Sequence, residues 1–122
     1  MKRSLTKQER LKKKKDISRV FASSNKVSCF GAKLFYRENG LDTNRLMVTL
    51  VRNYGTAVQR NRAKRVMKEA YRLMKASLQT GFDLVIVLYP HTDTLQNRMN
   101  QLQQLYSKAA LSANPDTTWQ AD

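Results

Sequence analysis

The chain is 122 residues long and 41% hydrophobic, and it carries 23 lysines and arginines against nine acids, a formal net charge of +14. That length suits one ordinary domain with a core of its own, and a single cysteine, Cys29, excludes a disulfide-stapled scaffold. So large a cationic excess costs stability through self-repulsion, which points to a phosphate polymer as partner before an anionic membrane or an acidic protein.

In chain order, the N-terminal stretch "MKRSLTKQERLKKKK" packs eight basic residues and one acid into positions 2–15. Thr6 and Glu9 have capping-box spacing, but four consecutive lysines resist a regular isolated helix, so residues 1–12 are expected to be partly mobile. "DISRVFAS" places Ile17, Val20 and Phe21 at helical spacing with Asp16 near the start, where a negative charge suits the helix dipole. This predicts a short helix over about 13–24. "VSCFGAKLFYR" and "RLMVTLVRN" are rich in β-branched and aromatic residues, which predicts strands over about 27–37 and 45–53 joined by a turn at "ENGLDTN". Gly31 is read as a bulge that divides the first strand.

Thr56 and Gln59 form a second capping box, so a long helix is expected from Ala57 to about Leu78, stopped by Gly81. At 100° per residue, Val66, Ala70, Leu73, Met74 and Ser77 share one face, with Ala63 and Met67 on its flank. Arg60, Lys64, Lys68, Arg72 and Lys75 lie opposite, with Arg65 beside them. "FDLVIVLY" reads as a strand buried on both faces, ended by Pro90. A last helix should begin near Thr92 or Thr94, with Leu95, Met99, Leu102, Leu105, Tyr106 and Ala109 in one stripe. "NPDTTWQAD", 114–122, reads as a tail. No linker or repeat divides the chain, so residues 1–122 are read as one domain in which a crossover helix links two strands of a mixed sheet.

No catalytic constellation is visible. The one histidine, His91, sits beside a proline. No Cys/His cluster has metal-ligand spacing, no glycine-rich loop opens a helix, and no two acids are spaced as a catalytic pair. Catalytic and metal-binding residues are therefore expected to be absent. The longest apolar run, "LVIVLY", is too short to cross a bilayer, and no apolar stretch follows the basic N-terminus as in a secretory signal. A soluble, cytoplasmic protein with no membrane partner is expected.

The strongest local signal is the helix at 57–78. Seven of the cations fall between Arg60 and Lys75, against Glu69 alone. Solvated helices usually alternate signs to gain i,i+4 pairs, whereas Arg60, Lys64, Lys68 and Arg72 make a ladder of one sign, each step of which weakens the free helix by a few tenths of a kcal/mol. Contact with several phosphates releases counterions and outweighs that cost by orders of magnitude in affinity. Spacing alone leaves RNA and DNA both open. Phe21, Phe30, Phe35 and Tyr36, flanked by Arg19, Lys33 and Arg37, could stack unpaired bases if they face a cleft, or could be core. By strand alternation Phe35 and Tyr36 cannot both face the same side.

The stretch "GTAVQRNRAKRVMKEAYR", 55–72, resembles the signature of the bacterial ribonuclease P protein component, a G-x-A-V-x-R-N-R-x-K-R core leading into a basic helix. Gly55, Ala57, Val58, Arg60, Asn61, Arg62, Lys64 and Arg65 match it. "RLKKKKDISRVF", "AKLFYR", "RLMVTLV" and "DLVIVLYP" resemble the family's N-terminal helix and central strands, so the likeness covers about residues 10–110. It implies an α+β fold, a small two-layer α/β sandwich in the order α-β-β-β-α-β-α. Its mixed sheet would contain a left-handed βαβ crossover, similar to a domain of a small-subunit ribosomal protein. It also implies the accessory subunit of an endoribonuclease ribonucleoprotein that removes the 5′ leader from precursor tRNA, with the chemistry left to a catalytic RNA and its Mg²⁺ ions and no cofactor on the protein. Partners would be that RNA, with one protein per RNA, and precursor tRNA. Arg60, Asn61, Arg62, Lys64, Arg65, Lys68 and Arg72 would meet the catalytic RNA. Ile17, Phe21, Lys33, Tyr36 and Arg52 would meet the leader, and Lys12 and Lys13 would add RNA contacts from the basic N-terminus. Ile17 stands where the family usually has an aromatic, leaving only apolar contact there, and "LVRNYG" replaces a commoner S-K-K-x-G. The alternative is a ribosomal or other structural RNA-binding protein with no part in catalysis.

Overall fold

Alternation along the strands decides which residues meet across the sheet, and the glycines decide where the strands turn. The computed structural model describes residues 7–23, 25–90 and 93–111. After a 3-10 turn at Lys7–Glu9 come helix α1 (Lys14–Ala22) and strands β1 (Lys26–Cys29), β2 (Ala32–Glu38) and β3 (Arg45–Leu50). Helix α2 (Ala57–Met74) follows, continued by a 3-10 turn at Lys75–Ser77, then strand β4 (Phe82–Leu88) and helix α3 (Leu95–Ala109). The expected order holds. Gly31 does not make a bulge: Cys29 pairs directly with Ala32, so Phe30 and Gly31 form a two-residue hairpin turn, with Gly31 at φ 89°. A side chain rarely adopts that φ, and glycine does so at no steric cost.

The sheet order is β1-β2-β4-β3, with β2 antiparallel to β4 and β3 parallel to it, so α2 is the crossover between neighbouring parallel strands. One face carries Leu34, Leu46, Val48, Leu50, Leu84, Ile86 and Leu88. They pack with Ala63, Met67, Ala70 and Tyr71 of α2 and Leu102, Leu105, Tyr106 and Ala109 of α3 in the main core. The opposite face is smaller. Val85 packs with Leu11 and with Val20 of α1, and Ile17, Phe35, Met47 and Val87 lie half-buried around them. The apolar run of β4 follows from this: Leu84, Ile86 and Leu88 serve one side, Val85 and Val87 the other.

The N-terminal segment is anchored from Glu9 onward. Arg10 pairs in parallel with Leu46, the Leu11 amide donates to the Leu46 carbonyl at 3.0 Å, and the Lys75 ammonium donates to Glu9 at 2.7 Å. Arg10 and Leu11 therefore lie at the outer edge of β3, beside Leu46. At the other edge the Lys108 ammonium donates to the Ser28 carbonyl of β1 at 2.6 Å. The rest of the expected mobile start, His91, Thr92 and the tail at 114–122 lie outside the described residues.

Candidate nucleic-acid interface

Helix α2 begins on a tightly specified turn. Gly55 has φ 151°, and a Cβ there would collide with the Gln59 side-chain oxygen. That oxygen is occupied: it accepts from the Thr56 amide at 2.9 Å, while the Thr56 hydroxyl accepts from the Gln59 amide at 3.2 Å. The capping box expected from sequence thus explains the glycine before it. Behind this turn lies a polar knot. Arg98 of α3 is fully buried. It donates to Asp93 at 2.6 Å, to the Tyr54 hydroxyl at 2.8 Å and to Gln101 at 2.7 Å, and Tyr54 donates to Asp93 at 2.8 Å. Gln101 in turn donates to the Phe30 carbonyl at 3.0 Å. Burial, and then the bond to Asp93, push the Tyr54 hydroxyl above the ordinary tyrosine pKa. The knot joins the entry of α2, the start of α3 and the β1–β2 turn.

The orientation of α2 differs from the sequence expectation by part of a turn. Its buried residues are Ala63, Met67, Ala70 and Tyr71, while Leu73 is 47% exposed and Val66 only half-buried. The large Tyr71 ring goes into the core and rotates the apolar stripe toward it. As a result Asn61, Arg62, Arg65 and Lys68 point outward and Lys64 is half-exposed. None of Arg62, Lys64, Arg65 and Lys68 has an acidic partner among the described residues. Two cations of the expected ladder do something else. Arg60 turns back and donates to the Val51 and Arg52 carbonyls at 3.1 and 3.2 Å, fastening the loop to the helix. Arg72 is paired with Glu69 at 2.7 Å, and that hydrogen bond raises its pKa. The like-charge ladder is thereby broken at both ends.

The second cationic surface lies across the sheet. Lys12, Lys13, Lys14, Lys15 and Arg19 are exposed. Asp16 is held by Arg19 at 3.7 Å and by Arg45 at 3.4 Å, and Arg45 also grips Asp83 at 2.7 Å; chiefly through the bond to Asp83 the Arg45 pKa is raised. These pairs pin the N-terminal half of α1 over the start of β3 and β4. A cleft of about 560 Å³, lined among others by Arg10, Lys12, Lys13, Asp42 and Arg45, opens there. At the other end of α1, Phe21 is 43% exposed and stands edge-on to Phe35, with ring centroids 4.8 Å apart. Lys33, in register on the same face, sits 6.0 Å over the Tyr89 ring. Ile17, Phe21, Lys33 and Phe35 are therefore brought to one side of the sheet, beside Val87 and Met47.

Tyr36 is not among them. It packs against the main core on the opposite face, its ring 6.4 Å from Phe82, because residues next to each other in a strand point to opposite sides. Phe35 takes the place the sequence reading gave to Tyr36. Counting by twos from Lys33 finds it, and counting by twos from Val85 along β4 leads to Tyr89. Arg52 is exposed in the loop before α2, and its carbonyl is one of the two that Arg60 holds.

The family model for ribonuclease P matches residues 5–112. The chain belongs to the ribonuclease P protein component family. It is 36% identical over 87 residues to the ribonuclease P protein component of Caldanaerobacter subterraneus subsp. tengcongensis, covering 71% of this chain and 72% of the relative. It is 33% identical to that of Thermotoga maritima over 71% of this chain and 74% of the relative. The solved RNase P protein of Thermotoga maritima superposes with a TM-score of 0.70 at 28% identity, covering 80% of this chain and 94% of that one. The Staphylococcus aureus RNase P protein shares the fold, with a TM-score of 0.75 at 22% identity over 85% and 97% of the two chains. The protein is thus a subunit of the endoribonuclease ribonuclease P, acts in tRNA processing and has an RNA subunit as partner. Among the described residues no helix is long and apolar enough to cross a membrane, and no cluster of three or more His, Cys, Asp or Glu side chains could hold a metal ion.

Proposed function

We propose that the protein grips the catalytic RNA with the outward face of α2 and carries the single-stranded 5′ leader of precursor tRNA across the sheet face beside α1, promoting leader removal by the RNA. The supporting observation is the separation of two cationic surfaces by one sheet. On the α2 side, Asn61, Arg62, Lys64, Arg65 and Lys68 stand on a rigidly mounted rod, which suits the fixed phosphate array of a folded RNA. On the α1 side, half-exposed Phe21, Phe35 and Ile17 lie among lysines. Partly exposed rings beside cations suit an unpaired strand, whose bases can stack on aromatic faces while the backbone meets the charges. Lys33 and Arg52 would border that path, and Lys12 and Lys13 would extend it toward the cleft at the start of α1.

In this reading Arg60 and Arg72 act chiefly by holding α2 and its loop, and Tyr36 acts as core. The Mg²⁺ needed for hydrolysis belongs to the RNA, one protein serves one RNA, and the complex works in the cytoplasm. The test is a cleavage assay with the reconstituted ribonucleoprotein. The protein should stimulate RNA-catalysed leader removal at low Mg²⁺, and affinity for precursor should rise with leader length until the sheet face is filled. Equal affinity for precursor and for leaderless tRNA would remove the leader-binding half of the proposal.

A further inference from the structure

Val58, at the second position of α2, is the most exposed large apolar side chain on that helix, at 77%. Among the described residues nothing covers it. A β-branched residue costs a helix a few tenths of a kcal/mol or more relative to Ala, Gln or Lys, and an acid in the first turn would gain from the dipole. The first turn of α2 holds no acid. Val58 contributes almost no burial in return. Its position is specific, however. Residues three, four and seven further on are Asn61, Arg62 and Arg65, all exposed, so Val58 heads the row of outward polar and cationic side chains. The capping box at Thr56 and Gln59 fixes the turn on which it stands.

A surface that met phosphates alone would have no use for two methyl groups there. Phosphate attraction is long-ranged and tolerates a shift of the partner by an ångström or two; an apolar contact exists only in van der Waals touch. We propose that Val58 is an RNA-contact residue that packs on a ribose or base face of the catalytic RNA and sets the register in which Asn61, Arg62 and Arg65 meet their phosphates. This rests on the reading that α2 grips the catalytic RNA.

The experiment measures binding of the full-length protein to the catalytic RNA subunit over a series of salt concentrations, for the unaltered chain and for Val58→Ala, Val58→Gln and Leu73→Ala. Removing the buried methyl groups should weaken binding about fivefold to fifteenfold in the first two variants, by the same factor at every salt concentration, because no phosphate contact is lost and the slope of log K against log salt is unchanged. The melting temperature of the free protein should stay the same or rise, since both replacements are better helix formers. Leu73→Ala alters an exposed apolar residue of the same helix about 22 Å away, beyond the last residue of that row, and should bind as the unaltered protein does. Binding by Val58→Ala equal to the unaltered chain, or a loss matched by Leu73→Ala, overturns the proposal while leaving the α2 grip intact. Failure of the unaltered chain to bind the RNA removes that grip and this inference with it.

Discussion

The two sides of the sheet are built on different principles. The α2 side has the large core, with Met67, Tyr71, Leu102, Leu105 and Tyr106 fully or almost fully buried, and its helix entry is held by a capping box, an arginine clamp on two carbonyls and a buried Arg98 knot. The α1 side has three buried residues, Leu11, Val20 and Val85, ringed by half-buried ones. Its nine-residue helix has no side-chain N-cap and is steered by ion pairs to Asp16. A fixed rod can match a partner that already has a shape. A thinly covered face with exposed lysines and partly exposed rings can follow a strand that has none.

That contrast can be broken most forcefully at Arg98. Arg98→Ala would strand Asp93, Gln101 and the Tyr54 hydroxyl without their shared partner. Removing one member of a buried charge pair typically costs about 3–5 kcal/mol, and urea unfolding should register a loss of that order. A loss below about 1 kcal/mol would mean that the α2 side does not depend on its polar knot.

Alkaline pH should act next, and on the α2 side. Burial, and then the charge of Glu9, raise the Tyr71 hydroxyl to about 12, and burial pushes Tyr106 well above the ordinary value as well. An unfolded tyrosine ionises near pH 10, so the neutral form is favoured by folding. Its contribution is complete below about pH 10 and is lost as pH rises through about 12, some 2–3 kcal/mol for Tyr71. Thermal melts between pH 9 and pH 12 should fall steeply, and Tyr71→Phe should flatten the fall. An unchanged profile in that variant would show that Tyr71 titrates normally.

The α1 side is sharpened by Phe21→Ala. The ring is 43% exposed, so the fold should survive. Loss of one stacking contact should weaken capture of precursor tRNA by about 1–2 kcal/mol and leave binding to the catalytic RNA unchanged. Unfolding instead would reclassify Phe21 as core. The smallest effect is expected from Lys68→Ala. Affinity for the catalytic RNA should drop severalfold, and the salt slope should fall by about one unit if the ammonium meets one phosphate. An unaltered slope would take Lys68 off the interface.

Features whose physics is local were legible in the sequence. Thr56 and Gln59 announced their own helix start, and the apolar run 84–88 announced a strand covered on both sides. What required the third dimension was hidden in proportion to its sequence distance. The stripe of α2 was drawn through Val66 and Leu73, whereas the space beneath the helix admits Met67 and Tyr71. Arg98 sits within an apolar helical pattern, where an arginine reads as solvent-exposed, and its hydroxyl partner Tyr54 lies 44 residues away. The misplacement of Tyr36 was avoidable, since strand alternation already forbade Phe35 and Tyr36 from sharing a face and Lys33 fixed the parity. The diversion of Arg60 to backbone carbonyls left no trace in the sequence, because the carbonyls that receive it carry no side-chain signature.

The segment lying along β3 and the lysine seated on Ser28 have a joint consequence for life before assembly. Exposed strand borders invite other chains to add on, and a protein waiting for its RNA would be vulnerable to that kind of runaway pairing. Here one border is partly shielded, at Leu46, by Arg10 and Leu11 of the same chain. The other is only four residues long, opens with Lys26 and has an outward carbonyl stoppered by an ammonium. Short, charged, occupied borders discourage fibre growth, so the unassembled subunit should remain dispersed at concentrations where a bare-edged sheet of the same size would clump.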